Sequence, residues 1–279
     1  MEDETVHPRV RELLAVPQPA QRTEEWFEMR WGMLTASDLA AAIHLNPYES
    51  QFDLLLKKCN VGKRFEGNAA TAYGASLEDE VVAKFCEKTG WRHFDAGLLR
   101  HPVHDFLGGS PDGLLSSADG KRFAMLEIKC PFRKEIVDEI SGYYYPQMSG
   151  PDQSSLSCIL CMEICDADSC WFVQYRPARN FWEDEIMSII EVKRDREWFA
   201  EKLPIARAFW DDVLYYRSHM SELMRLVEGK KRKRSPAEKT VTIGDEGVPP
   251  ERARCLIDFD ETDASPGLDA PVPSCLIDF

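Results

Sequence analysis

The spacing of apolar residues predicts an order of helices, a cluster of strands, then helices. Between residues 68 and 89, Leu77, Val81, Val82, Phe85 and Cys86 recur at helical spacing, and Gly90 stands where a helix commonly stops. Upstream, Thr23 followed by Glu24 and Glu25 reads as a helix start, with Trp26, Met29 and Arg30 on the next turn. Ser37-Asp38, ahead of Leu39-Ala40-Ala41-Ala42-Ile43, reads as a second N-cap. From 91 to 131 the period falls to two, and glycine-rich turns at Gly108-Gly109 and Asp119-Gly120 divide the stretch into successive antiparallel strands. In the last of these, Ala124, Leu126, Ile128 and Cys130 would face a core while Met125, Glu127 and Lys129 share the other side. Further strands are expected at 157–164 and 171–176. Residues 182–228 read as helical with an interruption near Pro204, and Trp182, Trp198, Phe199, Phe209 and Trp210 fall there at helical intervals, as core positions. Such an order suggests an α/β or α+β domain with a mixed sheet.

Two segments flank this pattern. Residues 1–22 are polar and Pro-containing and read as a lead-in, which leaves 23–229 as the folded domain. After Gly229 comes the basic run Lys230-Lys231-Arg232-Lys233-Arg234, then a stretch rich in Pro, Asp, Glu and Ser, so that 230–279 reads as a basic run and a disordered acidic tail. The basic run ahead of Ser235-Pro236 resembles a nuclear localisation signal, which makes a nucleus the expected location. Within the tail, Cys255-Leu256-Ile257-Asp258-Phe259 recurs as Cys275-Leu276-Ile277-Asp278-Phe279. An apolar triplet with an acid and a terminal aromatic suits docking on another protein; packing back on the chain's own body is the alternative.

Composition narrows the class. With 279 residues, 44% of them hydrophobic, the chain can build an ordinary core, which excludes a wholly disordered protein. No apolar run approaches the roughly 18–20 residues of a membrane span, and Met1-Glu2-Asp3-Glu4-Thr5 is acidic where a signal peptide would be basic and then apolar; an intracellular protein without membrane contact is expected. Nine scattered cysteines, an odd number, then read as reduced thiols. Net charge is −14, with +5 on residues 230–234, −7 on 235–279 and −12 on the first 229. An acidic body argues against a phosphate-bearing partner unless its carboxylates gather around a divalent cation, which neutralises them.

One constellation fits that exception. In Gly109-Ser110-Pro111-Asp112-Gly113, Asp112 leads into one strand, and fourteen residues beyond Gly113 come Glu127-Ile128-Lys129. Phosphodiester hydrolysis with divalent metals needs hard carboxylate oxygens and a group that orients or deprotonates water. On a hairpin, Asp112, Glu127 and Lys129 would point to one side, with the Ile128 carbonyl as a further ligand. Glu-x-Lys alone is expected about once in a chain of this length, and Glu191-Val192-Lys193 and Glu228-Gly229-Lys230 repeat it. Both repeats fall in the region read as helical, where residues two apart diverge. A solvated strand face remains the alternative for Glu127 and Lys129. Cys158, Cys161, Cys165 and Cys170 invite a metal–thiolate reading, but their spacing fits it poorly and buried thiols in an apolar strand fit better.

Four blocks in order resemble the PD-(D/E)XK nuclease superfamily, and within it the phage lambda exonuclease and YqaJ-like viral recombinase family, over about residues 23–228. They are Trp26-Phe27-Glu28-Met29-Arg30 with Thr35-Ala36-Ser37; Gly67-Asn68 through Gly74-Ala75-Ser76-Leu77-Glu78; Gly109–Gly113 with Leu126–Lys129; and Tyr145-Pro146-Gln147-Met148. The resemblance implies an α/β, restriction-endonuclease-like core with a central mixed sheet flanked by helices. It also implies a metal-dependent exonuclease, 5′ to 3′ on double-stranded DNA ends, in viral recombination or genome processing. In that role Asp112 and Glu127 hold Mg²⁺ (or Mn²⁺) with the Ile128 carbonyl, Glu78 completes the carboxylates, and Lys129 positions or activates water. Arg30 and Ser37 would contact a terminal 5′-phosphate, and Gln147, or Gln153 in its place, would supply a glutamine near the site. An endonuclease or single-strand nuclease on the same core, and an inactive nucleic-acid-binding scaffold, are the alternatives; a homo-oligomer is known in the family. For a viral protein of this kind the nucleus would be the host's, and the tail pentapeptides would dock on a single-strand annealing or replication protein or, alternatively, cover the chain's own DNA groove.

Overall fold

The computed structural model describes residues 5–19, 21, 23–61, 69–131, 136 and 153–234. Residues up to Asp211 form one compact unit and those from Asp212 a second.

Two sheets organise the first unit. Five strands, β2 (Arg92–Phe94), β5 (Gly113–Ser116), β6 (Phe123–Lys129), β7 (Ser169–Arg176) and β8 (Ile186–Lys193), form a mixed sheet in the order β2-β5-β6-β7-β8, with β6 and β7 parallel and the other neighbours antiparallel. A smaller sheet, β1-β4-β3, joins β1 (Leu34–Thr35), β4 (Leu107–Gly109) and β3 (Leu99–Arg100). Helix α5 (Ala69–Thr89) lies on one face of the large sheet: Val81 and Phe85 are fully buried against Leu115, Ala124, Leu126, Ile128, Val173 and Tyr175. Helix α6 (Gln153–Cys165) contacts β6 and β7, as well as β4 of the small sheet and α3 (Ala36–Ala42). This is the expected mixed α/β core flanked by helices.

Helix α5 and strands β6 and β7 lie where the apolar periodicity puts them, Gly90 ends α5 with φ +72°, and Gly120 turns between β5 and β6 with φ +68°. Four expectations are corrected. Residues 157–164 are helix α6, not a strand; Leu156, Cys158, Ile159, Leu160, Cys161, Met162, Ile164 and Cys165 are all buried, so the helix touches core on every side and carries no 3.6-residue stripe. Residues 186–193 are strand β8, not helix; Ile186, Ile189 and Ile190 mimic helical spacing because both faces of this strand carry apolar side chains. Helix α7 (Arg196–Ser218) then runs through Pro204 without a break. Gly108-Gly109 is no turn but the body of β4: a β-carbon at Gly109 would lie 2.7 Å from the Cys161 sulfur, so only glycine lets α6 approach this strand.

The lead-in carries helix α1 (Pro8–Ala15), tied down by the His7 N–H donating to Ser116 Oγ (2.9 Å) and by Arg9 Nε donating to the Cys165 carbonyl (2.8 Å) at the end of α6. Helices α2 (Glu24–Trp31) and α4 (Gln51–Lys58) complete the unit. The aromatic positions divide: Trp198, Phe199, Phe209 and Trp210 are buried, whereas Trp182, in the β7–β8 turn, is 88% exposed and not core. In the second unit, α8 (Met220–Arg234) follows α7, and Tyr215 Oη donates to Glu222 Oε2 at 2.9 Å. The basic run 230–234 is the last turn of α8 rather than the start of a disordered tail; the tail expected over 235–279, with its repeated pentapeptide, lies outside the described residues. The seven described cysteines are free thiols.

Candidate active site

The register of β5 and β6 builds the site. Gly113 pairs with Leu126, so Asp112, immediately before β5, comes level with Glu127 and Ile128 on β6. The Ile128 N–H donates to Asp112 Oδ2 at 2.7 Å, and Lys129 Nζ stands 2.8 Å from Glu127 Oε1. Glu127 is buried on the β6 face away from α5, the face shared with Met125 and Lys129, as alternation requires. Met125 is also fully buried, so both faces of this strand are covered.

The electrostatics are those of acids forced together. Burial, and then the neighbouring Glu127 charge, push the Asp112 carboxyl up to about 8; Lys129 and the Ile128 N–H oppose this, and Glu78 adds to it. Lys129 shows the reverse balance. Burial opposes its charge, but Glu127 and Asp112 overcome that and hold it as an ammonium well above the ordinary lysine value. Glu78, on α5, is half-buried and close enough to bias both Asp112 and Cys130. Among the described residues no group of three or more His, Cys, Asp and Glu side chains is drawn together as a ready metal cage.

Around this centre the structure adds a residue that no sequence pattern singled out. His93 Nε2 lies 3.0 Å from the Asp112 carbonyl, packed so closely that a β-carbon at Gly113 would lie 2.2 Å from it. The Asp-Gly of the motif is therefore a packing requirement: glycine makes room for the imidazole that holds the backbone of Asp112.

The second predicted cluster also assembles. An Arg30 terminal nitrogen donates to Ser37 Oγ (2.9 Å) and Thr35 Oγ1 (3.4 Å), while its guanidinium lies 4.4 Å from the centre of the Trp26 ring. Ser37 is exposed, and it is not the N-cap of α3; Thr35 is, so the Ser37 hydroxyl is not engaged in capping. Gln147 lies outside the described residues, as does Gly67-Asn68 of the second block, and Gln153 is the first residue of α6. Cys158, Cys161 and Cys165 sit on α6 and Cys170 on β7; all four thiols are buried, and burial raises those of Cys161, Cys165 and Cys170 above the ordinary value.

The chain is similar to known proteins in sequence and in fold. Residues 25–153 match the model of the YqaJ-like viral recombinase domain. An uncharacterized protein of Acanthamoeba polyphaga mimivirus is 23% identical, over 76% of this chain and 56% of its own. A protein of African swine fever virus is 31% identical over 157 residues, 47% of this chain and 45% of its own. The chain thus spans about half the length of the curated relatives it matches. Among solved structures, an alkaline exonuclease of Laribacter hongkongensis superposes with a TM-score of 0.54 at 22% identity, covering 74% of this chain and 100% of that one, so the fold is the same. The matching segment holds Arg30, Ser37, Glu78, Asp112, Glu127 and Lys129, and over residues 25–153 the chain is similar to the YqaJ-like viral recombinase domain.

Proposed function

We propose that the chain is a metal-dependent exonuclease that hydrolyses phosphodiester bonds from double-stranded DNA ends, 5′ to 3′, in viral recombination or genome processing. The observation that carries this reading is the largely buried Asp112 carboxyl, raised to about 8 beside the buried Glu127. Two carboxylates share a low-dielectric site with one ammonium, and a divalent cation would relieve their repulsion. The donor set fits Mg²⁺. Asp112 and Glu127, with the Ile128 carbonyl, offer hard oxygens, and Glu78 adds its negative charge to the same site. When bound, the cation supplies Lewis-acid stabilisation of the phosphate and a more acidic water.

The chain's own groups supply the rest. The Ile128 N–H and His93 fix Asp112 from two sides. Lys129, held as an ammonium by Glu127, donates toward water or the scissile phosphate and offsets charge developing there; an ammonium of raised pKa acts by orientation and electrostatics, not as a base. Arg30 and Ser37, joined to each other at 2.9 Å, offer a fork and an exposed hydroxyl to a terminal 5′-phosphate. The resemblance of fold to an alkaline exonuclease supports the exonuclease over an endonuclease on the same core. The basic run at the end of α8 directs import into the host nucleus and adds salt-sensitive DNA affinity. Time courses on end-labelled duplex, nicked circle and single strand, with Mg²⁺ or EDTA, test the reading: progressive release from duplex 5′ ends only with Mg²⁺ supports it, and cleavage of the nicked circle at internal positions contradicts it.

A further inference from the structure

Behind Arg30 lies a buried ion pair that joins the elements carrying the second cluster. Asp38, on α3, and Lys58, at the end of α4, are both buried, with Lys58 Nζ 2.7 Å from Asp38 Oδ2. Lys58 Nζ also donates to the carbonyls of Arg30 (3.1 Å) and Met33 (2.8 Å), where α2 ends and β1 is about to begin. The other half of the pair acts on α3. Asp38 Oδ2 accepts from the Thr35 hydroxyl at 2.6 Å and lies 3.4 Å from the Thr35 N–H, closing the first turn of the helix. Thr35 Oγ1, its hydrogen given to Asp38, receives Arg30 at 3.4 Å and lies 3.1 Å from Ser37 Oγ. Lys57 Nζ, 3.2 Å from Asp38 Oδ1, completes the surroundings of the carboxylate.

We infer that Asp38 and Lys58 are positioning residues that set the spacing of Arg30 and Ser37, and so determine the preference for a phosphorylated DNA end. The inference rests on the reading of Arg30 and Ser37 given above. Lys58 holds the backbone from which Arg30 projects, and Asp38 holds the turn from which Ser37 projects. The two grips meet in one contact, so a shift at either end moves one phosphate ligand relative to the other. A guanidinium fork gains its strength from geometry, which a displacement of about an ångström removes. Burial opposes ionisation of Asp38, and Lys58, Lys57 and Arg30 overcome it, holding the carboxylate far below its ordinary range. Burial pulls the Lys58 ammonium below its ordinary value, against the opposing pull of Asp38.

Stability alone would explain a buried pair, so the experiment separates the two roles. Removing one partner strands the other charge, whereas replacing both with apolar groups commonly restores the fold. In the full chain, Asp38→Leu with Lys58→Met is compared with wild type on duplexes bearing 5′-phosphate or 5′-hydroxyl ends, with kcat, KM and the thermal transition measured. Wild type is expected to show the lower KM on phosphorylated ends. The double variant is expected to melt near wild type and keep its kcat, yet lose roughly tenfold of that KM preference, the worth of one charge-assisted hydrogen bond. A wild-type preference in the double variant overturns the inference while leaving the role of Arg30 standing. If wild type itself shows no preference, the end-anchor reading fails first and the inference with it. Should the double variant not fold, Asp38→Asn takes its place, read below its own transition, and an unchanged preference there overturns the inference equally.

Discussion

Asp112 and Ile128 are joined by a 2.7 Å hydrogen bond that the Ile128 backbone N–H donates to the Asp112 carboxylate, across the start of the β5–β6 hairpin. The contact fixes the acid to the strand that carries Glu127 and Lys129, so the spacing of the three groups is set by a β-ladder and not by a loop.

The raised Asp112 has a consequence for stability. An aspartate in an unfolded chain ionises near 4, whereas Asp112 in the fold does so at about 8. Between those values the cation-free folded protein binds more protons than the unfolded chain, so this group's contribution to stability falls as pH rises through the window. Asp112→Asn is neutral throughout and still accepts from Ile128. In EDTA the variant is expected to melt above wild type at about pH 9, with the gap closing toward about pH 5. A variant that melts lower at both pH values would show that the carboxyl is not strained.

The second Glu-x-Lys serves as an internal control. Glu191 and Lys193 lie on strand β8 and form a 2.6 Å ion pair, so the local geometry repeats that of Glu127 and Lys129. What they lack is burial and the company of an acid such as Asp112: Lys193 is 66% exposed and Glu191 36%. Lys193→Ala is expected to change cleavage less than about twofold and stability by under about 1 kcal/mol, the usual worth of an exposed pair. A large loss of cleavage would mean that the tripeptide, and not its setting, makes the site.

That contrast shows what was legible in the sequence. The hairpin with Asp112, Glu127 and Lys129 was readable because Ala124, Leu126 and Ile128 alternate along β6 as an apolar face, packed against α5, and leave Glu127 and Lys129 together on the other. The helical reading of Glu191-Val192-Lys193 was wrong, since β8 is apolar on both faces and its isoleucines imitate a helical stripe. Helix α6 was lost for the complementary reason: surrounded by core, it has no polar face to reveal its period. His93, Asp38 and Lys58 act through backbone carbonyls and buried charge, contacts that leave no spacing signal in the chain.

Arg30→Ala is expected to slow cleavage of 5′-phosphorylated ends by roughly tenfold or more while changing hydroxyl ends little, because the lost contact is with the terminal phosphate and not the scissile one. Arg30→Lys should recover little, since an ammonium cannot reproduce the fork. Equal loss on both kinds of end, measured side by side, would place Arg30 elsewhere in the mechanism.

Acid should act through His101. Its Nδ1 accepts from the N–H groups of Val103 (3.0 Å) and His104 (3.1 Å), so the ring is neutral in the fold. Burial, then His104, depress it to about 4. The unfolded chain binds this proton near 6.5, so stability from His101 is present above that value and is lost as pH falls toward about 4. Replacement by Asn, which can keep an acceptor for the same N–H groups, should reduce the fall in melting temperature between about pH 7 and 5. An unchanged slope would assign the acid sensitivity to other groups.

The most direct measurement is Mg²⁺-dependent release of nucleotides from a 5′-phosphorylated duplex by wild type, Asp112→Asn, Glu127→Gln and Lys129→Ala, each first shown to be folded by its thermal transition. Wild type should degrade the duplex from its 5′ ends with Mg²⁺ and not with EDTA, and each variant should lose activity by roughly a hundredfold or more. Near wild-type release by any one of the three, or release that persists in EDTA, would contradict the site built on Asp112, Glu127 and Lys129.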